Sequence, residues 1–384
     1  MASPLSSNGH ERAAEGANEA DGPLSAAWRW SIILPMTTRL ASKRHAVEDL
    51  NHAIEFCYQQ GWTDGLPVVP PTERAVRAML DAAGLEPDKQ VAFITNRQVA
   101  VSAEKVAVNA VMAGCLPEYM PIVVAAVEAF AEPKWGYHGP ATSTGGAAVL
   151  MIVNGPVSTK LGFNSGDNLF GPGWRANATT GRAVRLVMRN VIGTLPGALD
   201  RGTVGHPGKY SYVIAENEAD SPWAPFHVER GFKAEQSVVT VMAAEGPHQF
   251  YNQLSSTAKG VLSSLCDDMK HHGSTNGQPQ YVVVLAGEHM RTIARDGWSK
   301  ADIQKFVFEN TQNSLAHIKR VERLAGAVTP ADETTMRPLV PSPEDVLVVA
   351  AGGRAGAFSC YIPAWAGGKK SSQSVSKLIQ DRRA

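Results

Sequence analysis

Apolar runs of strand length constrain the fold of this chain more than any other feature. The clearest are residues 147–153 (AAVLMIV), 280–286 (QYVVVLA) and 345–351 (DVLVVAA), which are rich in Val, Leu and Ala. Strands covered on both faces of a parallel sheet have this continuous apolar character. Segments with the spacing of amphipathic helices lie between them, the longest at 174–193. We therefore expect an α/β fold with a mixed, largely parallel sheet flanked by helices.

Apolar periodicity places further elements along the chain. It predicts strands at 91–95, 210–215 and 237–243. It predicts helices at 43–60, 101–116, 117–131, 248–270, 299–310 and 312–325. We expect residues 41–384 to form one α/β domain of catalytic type, or two subdomains with a Pro-rich excursion at 329–343.

The N-terminal residues differ in composition from the rest of the chain. Residues 1–30 are rich in Ala, Ser, Gly, Asn and Glu and have few large apolar side chains before Trp28. Such a segment buries too little apolar surface to offset the entropy lost on ordering. We expect residues 1–40 to be a disordered extension, and we hypothesise that translation starts naturally at Met36.

Composition excludes several classes of partner. Lys and Arg number 36, as do Asp and Glu, so the formal charge is zero and no basic surface for nucleic acid is expected. No apolar run reaches the roughly 18 residues that a membrane span needs. The cysteines at 57, 115, 266 and 360 form no CxxC pair, so we interpret them as reduced thiols of a cytoplasmic protein. The default role of Cys360 is that of a buried inert thiol, with a reactive thiol as the alternative.

Loops framed by Gly and Pro between residues 139 and 231 carry the densest set of polar side chains. Turning a loop does not require so many, whereas small-molecule sites are commonly built this way beyond the ends of sheet strands. A substrate-binding role is predicted for these loops and for one residue of the earlier GWTDGLPVVPPT segment (61–72). The candidates are Asp64, Asn154, Ser165, Asp167, Arg175, Asn177, Lys209 and Arg230.

Five side chains in the same region are candidates for catalysis: His206, Glu216, Glu218, His227 and Glu229. Glu216 and Glu218 lie on one side of an extended segment, where two carboxylates can share a proton or a metal. His206, His227 and a Glu are candidates for a His/His/Glu metal site, although their spacing is no standard signature. Structural roles are the alternatives: helix capping for Asp167 and Asn177, and surface ion pairs for the glutamates.

Several of these blocks resemble a family of bacterial proteins of largely unknown function. They are GWTDGLPVVPPT (61–72), IVNGP (152–156), NSGDNLFGPGWRANATTGRAVRL (164–186), HPGKYSYVIAENE (206–218) and PFHVERGF (225–232). Members of that family are often fused to, or associated with, a small domain with a Cys/Sec-Gly-Ser-Cys motif, which is similar to the selenoprotein B component of glycine reductase. The resemblance covers about residues 42–365 and implies a thiol or selenol partner, but it assigns no catalytic residue.

The chain departs from the family pattern at two points. A Gly-Lys-His-Ser run is expected after the last strand, but residues 356–359 read Gly-Ala-Phe-Ser, so an anion-binding role for this loop loses its Lys and His. Cys360 is followed by Tyr361, and the Gly-Ser-Cys motif does not occur. The resemblance therefore implies that the thiol domain is a separate chain, or that this member acts without it.

Three functions fit the sequence. The first is an enzyme or enzyme subunit that binds a small polar or anionic substrate through Arg175, His206 and Lys209, and acts with a separate thiol or selenol protein in reductive or thiol-transfer chemistry. The second is a stand-alone hydrolase or lyase, with or without a metal. The third is a non-catalytic binding or scaffold subunit. The sequence assigns no cofactor, and a homo-oligomer is expected because most soluble oligomers are symmetric assemblies of one chain.

Overall fold

The computed structural model describes residues 39–271, 277, 279–367 and 370–381. The expected N-terminal extension, apart from Arg39 and Leu40, lies outside these residues, as does the hypothesised start at Met36. Residues 38–384 form one compact unit. Within the described ranges, no helix combines the length and the apolar character that crossing a bilayer requires.

The α-helices of the described residues number twelve, and seven of them lie within segments that the sequence predicts to be helical. They are α1 (Leu50–Gln59), α2 (Glu73–Ala83), α3 (Ala103–Ala113), α4 (Met120–Phe130), α5 (His138–Thr142), α6 (Pro156–Lys160), α7 (Arg175–Asn190), α8 (Phe226–Glu229), α9 (Ala258–Lys270), α10 (Gly287–Arg295), α11 (Lys300–Asn310) and α12 (Leu315–Arg320).

The strands of the described residues are more numerous than the sequence predicts. They are β1 (Gln90–Ile94), β2 (Val99–Ser102), β3 (Ala148–Asn154), β4 (Val213–Ala215), β5 (Val238–Ala244), β6 (His248–Tyr251), β7 (Tyr281–Leu285), β8 (Asn313–Ser314), β9 (Met336–Arg337), β10 (Val346–Ala350), β11 (Phe358–Pro363), β12 (Ala366–Gly367), β13 (Lys370–Ser371) and β14 (Val375–Leu378).

Side-chain caps fix where several helices begin. Thr72, Ser102 and Thr257 each accept a hydrogen bond from a backbone N–H in the first turn of the helix that follows. Ser299 and Asp302 form a reciprocal capping box at the start of α11. Such caps satisfy N–H groups that have no partner within the helix.

Two four-stranded sheets dominate the described structure, in the orders β14–β5–β3–β4 and β10–β7–β11–β6. In each, one edge pair is parallel, β3 with β4 and β7 with β10. The other pairings in these two sheets are antiparallel. The α/β class is thus confirmed, but the expectation of a largely parallel sheet is not, because most pairings are antiparallel.

The two sheets pack face to face, and helices cover their outer faces. Leu150 and Ile152 of β3 share an apolar cluster with Val282 and Val284 of β7, between the sheets. The alternate residues of each strand point outward, so that Met151 of β3 packs in the cluster formed with α2, α3, α4 and α7. The central strands are therefore apolar on both faces, which explains why their sequences are typical of parallel strands although most neighbours are antiparallel.

Both sheets repeat one arrangement of strand directions. In the first, β3 leads through helices to its parallel neighbour β4 and then to the antiparallel β5. In the second, β7, β10 and β11 follow the same order. Each sheet is completed at its other edge by a strand from elsewhere in the chain, β14 or β6. Loops beyond the carboxyl ends of the parallel pairs are the usual place for ligands in α/β folds.

Several sequence predictions differ from the structure. The helix expected at 43–60 begins only at Leu50, the helix expected at 312–325 ends at Arg320, and the strand expected at 210–215 covers only Val213–Ala215. The helix expected at 248–270 begins only at Ala258, because residues 248–251 form the edge strand β6. The Pro-rich excursion expected at 329–343 stays a prediction, and this stretch contains a short 3-10 helix (Pro330–Glu333) and the strand β9. The helix predicted at 174–193 is confirmed as α7.

Candidate functional site

The first element of the candidate site is the turn after β3. Asn154 ends this strand and is fully buried. Gly155 follows with φ of +82°, and a Cβ atom there would lie 2.1 Å from the backbone oxygen of Gln236. Only glycine fits this backbone conformation and this close approach. The turn fixes the position of the Asn154 amide at the carboxyl end of the sheet.

Glu216, which directly follows β4, is the most extensively bonded of the predicted catalytic residues. Its Oε2 accepts hydrogen bonds of 2.6 Å from both Asn154 Nδ2 and the Phe226 backbone N–H. Its Oε1 accepts from Lys300 Nζ at 3.3 Å and from the Ala350 N–H at 3.4 Å. Because all four neighbours are donors, Glu216 acts as an acceptor that joins loops of the two sheets.

Lys300 supplies the buried positive charge of the site. It is the first residue of α11, where the Ser299 cap fixes the backbone, and only 3% of its surface is exposed. Its Nζ also donates to Glu229 Oε2 at 3.1 Å and to the Ala224 oxygen at 2.9 Å. Burial raises the pKa of Glu229, and the nearby Lys300 ammonium opposes that rise.

Glu218 faces both the protein and the solvent. Its Oε1 accepts from Asn154 Nδ2 at 3.0 Å and from the Gly155 N–H at 2.6 Å, while a quarter of its side chain is exposed. The same oxygen lies 3.8 Å from His227 Nδ1. Glu216 and Glu218 thus bind the same amide group, as their predicted position on one side of an extended segment suggests.

His227, in α8, is completely buried, yet its two ring nitrogens have no hydrogen-bond partner among the described residues. The Oδ1 atom of Asn154 shares this condition. The orientation of that amide is fixed, because both carboxylates beside its other atom can only accept from an NH₂ group. Each buried polar atom without a partner costs about 1–3 kcal/mol, and these three atoms remain able to bond to a further group.

We call Asn154, Glu216, Glu218, His227 and Lys300 the carboxylate–imidazole cluster. Within it, Glu216 and Lys300 are held by several hydrogen bonds, whereas Glu218 and His227 retain free bonding capacity. A neutral imidazole beside a carboxylate can take up a proton, because the carboxylate stabilises the imidazolium that forms. The cluster is therefore suited to general acid–base chemistry.

His206 is bonded within the protein at both of its ring nitrogens. Its Nδ1 accepts from the Gly208 N–H at 3.2 Å, so its Nε2 carries the hydrogen that is directed at the Ala244 oxygen, also at 3.2 Å. The ring lies edge-on to Tyr212, with centroids 5.4 Å apart. Burial lowers the pKa of this imidazole, and the bond to Ala244 partly opposes that effect. Both ring nitrogens are used to hold the loop in place.

The cations predicted to bind an anionic substrate also have partners within the protein. Lys209 Nζ bonds to both carboxylate oxygens of Asp200, at 2.7 and 2.8 Å. Arg175 donates two hydrogen bonds, of 3.0 and 2.9 Å, to the Gly114 oxygen. Together with His206, these contacts place each member of the predicted anion-binding group in a separate intramolecular arrangement.

Two further predicted binding residues are basic or acidic groups engaged inside the fold. Asp64 accepts hydrogen bonds of 2.9 and 2.8 Å from Arg182. Arg230 donates to Ser376 Oγ at 2.6 Å, and its guanidinium lies 5.3 Å from the centre of the Phe226 ring. Burial lowers the pKa of Arg230. These contacts engage both side chains within the protein.

The remaining predicted binding residues lie in the loop between α6 and α7 or at the start of α7. Asn177 accepts from the Asn164 N–H at 2.8 Å and donates to the Val213 oxygen at 3.0 Å. The Ser165 oxygen accepts a 2.8 Å bond from the Gly352 N–H. The exposed Asp167 side chain lies so close to Gly353 that a Cβ atom there would be 2.2 Å from its Oδ1. This loop therefore closes against the end of β10.

Neither a His/His/Glu metal site nor a reactive thiol is formed by the described residues. Among them, no group of three or more His, Cys, Asp or Glu side chains is arranged to hold a metal ion. All four cysteines are buried and free. Burial raises the pKa of each of Cys115, Cys266 and Cys360 to about 12, and it also raises the pKa of Cys57.

Sequence reasoning missed Lys300. The pattern Ser299-Lys300-Ala301-Asp302 indicates a helix start, and a helix was predicted there. Nothing in this pattern shows that the lysine is buried, because its partner Glu216 lies 84 residues away in the chain.

Comparison with known proteins yields no relative. No protein-family model, no curated protein and no solved structure matches this chain.

Proposed function

We propose that this chain is an enzyme, or the substrate-binding subunit of one, that transfers protons on a small polar substrate at the carboxylate–imidazole cluster. The observation that supports it is His227, which is completely buried, lies 3.8 Å from the Glu218 carboxylate and has two nitrogens without a partner among the described residues. A structural histidine is usually bonded at its ring nitrogens, as His206 is here.

Each member of the cluster has a distinct role in this proposal. Glu216 and Lys300 hold the site together, and Asn154 orients Glu218 through its amide. His227, as neutral imidazole, accepts the proton of a substrate O–H, N–H or C–H group, and Glu218 stabilises the resulting imidazolium. The proton then returns to the product, or it passes to solvent through the partly exposed Glu218 carboxylate.

A sulfur or selenium nucleophile, if the reaction uses one, comes from a separate protein. The chain's own cysteines are buried, and a raised pKa disfavours the reactive thiolate. The resemblance to proteins that act with a small Cys/Sec-Gly-Ser-Cys domain supports such a partner. Because the cations predicted to bind an anion are engaged elsewhere, the proposal retains a small polar substrate without requiring a negative charge on it.

The proposal is tested by untargeted mass spectrometry of a small-molecule extract of bacterial cells incubated with the purified chain. The incubation is run alone, with dithiothreitol, and with proteins that co-purify after co-expression of its genomic neighbours. We expect a compound to be consumed by the wild type and not by His227→Gln. Consumption that is the same in both contradicts the proposal and favours the scaffold alternative.

The conditions also separate the enzyme classes. Turnover that requires a stoichiometric Cys-rich partner, seen by native mass spectrometry, supports thiol-partnered chemistry. Turnover by the chain alone supports a hydrolase or lyase. The His138→Gln variant is the matched control for His227→Gln, since His138 is exposed and carries the same imidazole group. Glu235→Gln, in an exposed carboxyl group, is the matched control for Glu218→Gln.

A further inference from the structure

The free bonding capacity of the carboxylate–imidazole cluster is dominated by acceptors. Asn154 Oδ1 is an acceptor without a partner among the described residues. Among the described residues, Glu218 accepts hydrogen bonds from two neutral N–H donors, of Asn154 and Gly155. A neutral His227 offers one further acceptor and one donor. A group that satisfies these atoms must bring more N–H or O–H donors than acceptors.

The site also contains more acidic than basic side chains. Three carboxyl groups, of Glu216, Glu218 and Glu229, stand against the one buried ammonium of Lys300, which bonds to Glu216 and Glu229. Within 4 Å of the Glu218 carboxylate, the described residues place one basic group, the His227 imidazole, which is charged only when protonated. Arg230, the next cation along the chain, is bonded to Ser376 and Ser374. Glu218 thus has no permanently charged partner in the described part of the chain.

We infer that the substrate presents a protonated nitrogen group, an ammonium or amidinium, to Glu218 and Asn154 Oδ1. This inference rests on the proposed function and names the chemical class that the site takes. The N–H groups of such a cation bond to the Glu218 carboxylate and to the Asn154 oxygen, and its charge compensates Glu218. In this inference one small group contacts both Glu218 and Asn154 Oδ1, which belongs to the amide whose Nδ2 lies 3.0 Å from Glu218.

The partly exposed edge of the site consists of two carboxylates, which also favours a cationic ligand. Glu218 and Glu229 are the partly exposed members of the group, with 25% and 33% of their side chains accessible. A cation at the protein surface is attracted by these two carboxylates. A carboxylate or phosphate would meet repulsion at the same edge.

The test uses NMR of the full chain with ¹³C-labelled histidines, in which the His227 resonance is assigned by its loss in His227→Gln. Methylammonium and acetamidinium chloride are the cationic probes, and sodium acetate at matched ionic strength is the anionic one. We expect saturable shifts of the His227 resonance with a cationic probe and none with acetate. In Glu218→Gln, whose folding is checked by its far-UV circular dichroism, the dissociation constant is expected to rise at least tenfold. Glu235→Gln is expected to bind as the wild type does.

Two results overturn the inference. One is an acetate-induced shift equal to that of the cations. The other is a His227 resonance that responds to no cationic probe, which means that water alone satisfies the buried atoms. If extract turnover depends on His227 while cationic probes do not bind, only this inference fails. If they bind without any turnover, the proposed catalysis fails and the binding site stands.

Discussion

Lys300 and Glu216 form a buried ion pair that contributes to the stability of the folded protein. The pair is almost completely buried, with 3% and 0% of the two side chains exposed. Removing one partner of a buried pair leaves the other charge without compensation. Under the proposed function, the stability of the site and its chemistry depend on different residues, since Glu218 and His227 are less firmly bonded.

We predict that Lys300→Met lowers the free energy of unfolding by about 3–5 kcal/mol, because it leaves the Glu216 carboxylate buried without its cation. Urea denaturation measures the change. Lys233→Met is the matched control, because Lys233 is exposed, and it should change stability by no more than about 0.5 kcal/mol. Equal effects of the two variants would show that the buried pair contributes nothing beyond a surface charge.

The cysteines support a second prediction at the residue scale. Because burial raises the pKa of Cys115, Cys266 and Cys360 to about 12, little thiolate exists at pH 8. We expect Ellman's reagent to react slowly with the native protein and to label four thiols quickly after denaturation. A thiol that reacts rapidly in the native protein would contradict this prediction and would reopen a catalytic role for a cysteine of this chain.

At the scale of elements, the turn between β3 and α6 fixes the geometry of the site. Gly155 combines a positive φ with a Cβ position 2.1 Å from a backbone oxygen, and backbone cannot yield as a flexible side chain can. The strand end, and with it Asn154, is placed by this turn.

We predict that Gly155→Ala destabilises the protein markedly more than Gly162→Ala does. Gly162 also has a positive φ, of +69°, but a Cβ atom there would meet no atom within 4 Å. The control therefore reports backbone strain alone, about 1–2 kcal/mol. Thermal denaturation compares the two variants. A Gly155 variant no less stable than the Gly162 variant would show that the close approach to Gln236 imposes no constraint.

The extent to which the fold could be predicted also differs between elements. The strand at 147–153 was predicted within one residue of β3, because its position between two apolar layers makes it apolar throughout. The edge strand β6 (HQFY) was not, because an edge strand needs no such run and its burial alternates. Pairing direction could not be predicted, since apolar runs report burial on both faces and not the direction of the neighbour.

The site was predictable in part for a similar reason. Asn154, Glu216, Glu218 and His227 lie in loops whose density of Gly, Pro and polar residues indicates a site. Lys300 lies outside these loops and is brought to Glu216 only by the packing of the two sheets. The loop signal did not distinguish residues that face the cluster from Arg175 and Lys209, which bind other parts of the protein.

At the scale of the whole molecule, ion pairs of buried carboxylates make stability dependent on pH. Asp200 bonds to both Arg185 and Lys209. Burial alone would raise the pKa of Asp200, but the hydrogen bonds from Lys209, the Gly202 N–H and Arg185 lower it on balance. A lowered pKa means that the folded state holds this proton less tightly than the unfolded chain does.

The stabilisation from Asp200 is therefore fully present above the unfolded pKa of about 4 and is lost as the pH falls through the lower folded value. We predict that Asp200→Asn is less stable than the wild type at pH 7 and that the difference narrows below pH 4. Chemical denaturation across this pH range measures it. A difference that stays constant with pH would show that Asp200 acts by packing and not by charge.

We propose that Glu218 and His227 form an acid–base site. The experiment that tests this proposal measures the rate at which Glu218→Gln consumes the compound that the wild type depletes from a bacterial extract. Removing a general acid–base group or its electrostatic partner typically costs about 10²- to 10⁴-fold in rate. We predict that Glu218→Gln consumes the compound about 10²- to 10⁴-fold more slowly than the wild type, while its free energy of unfolding stays within about 1 kcal/mol of the wild-type value. Depletion by that variant at the rate of the wild type and of Glu235→Gln would contradict it.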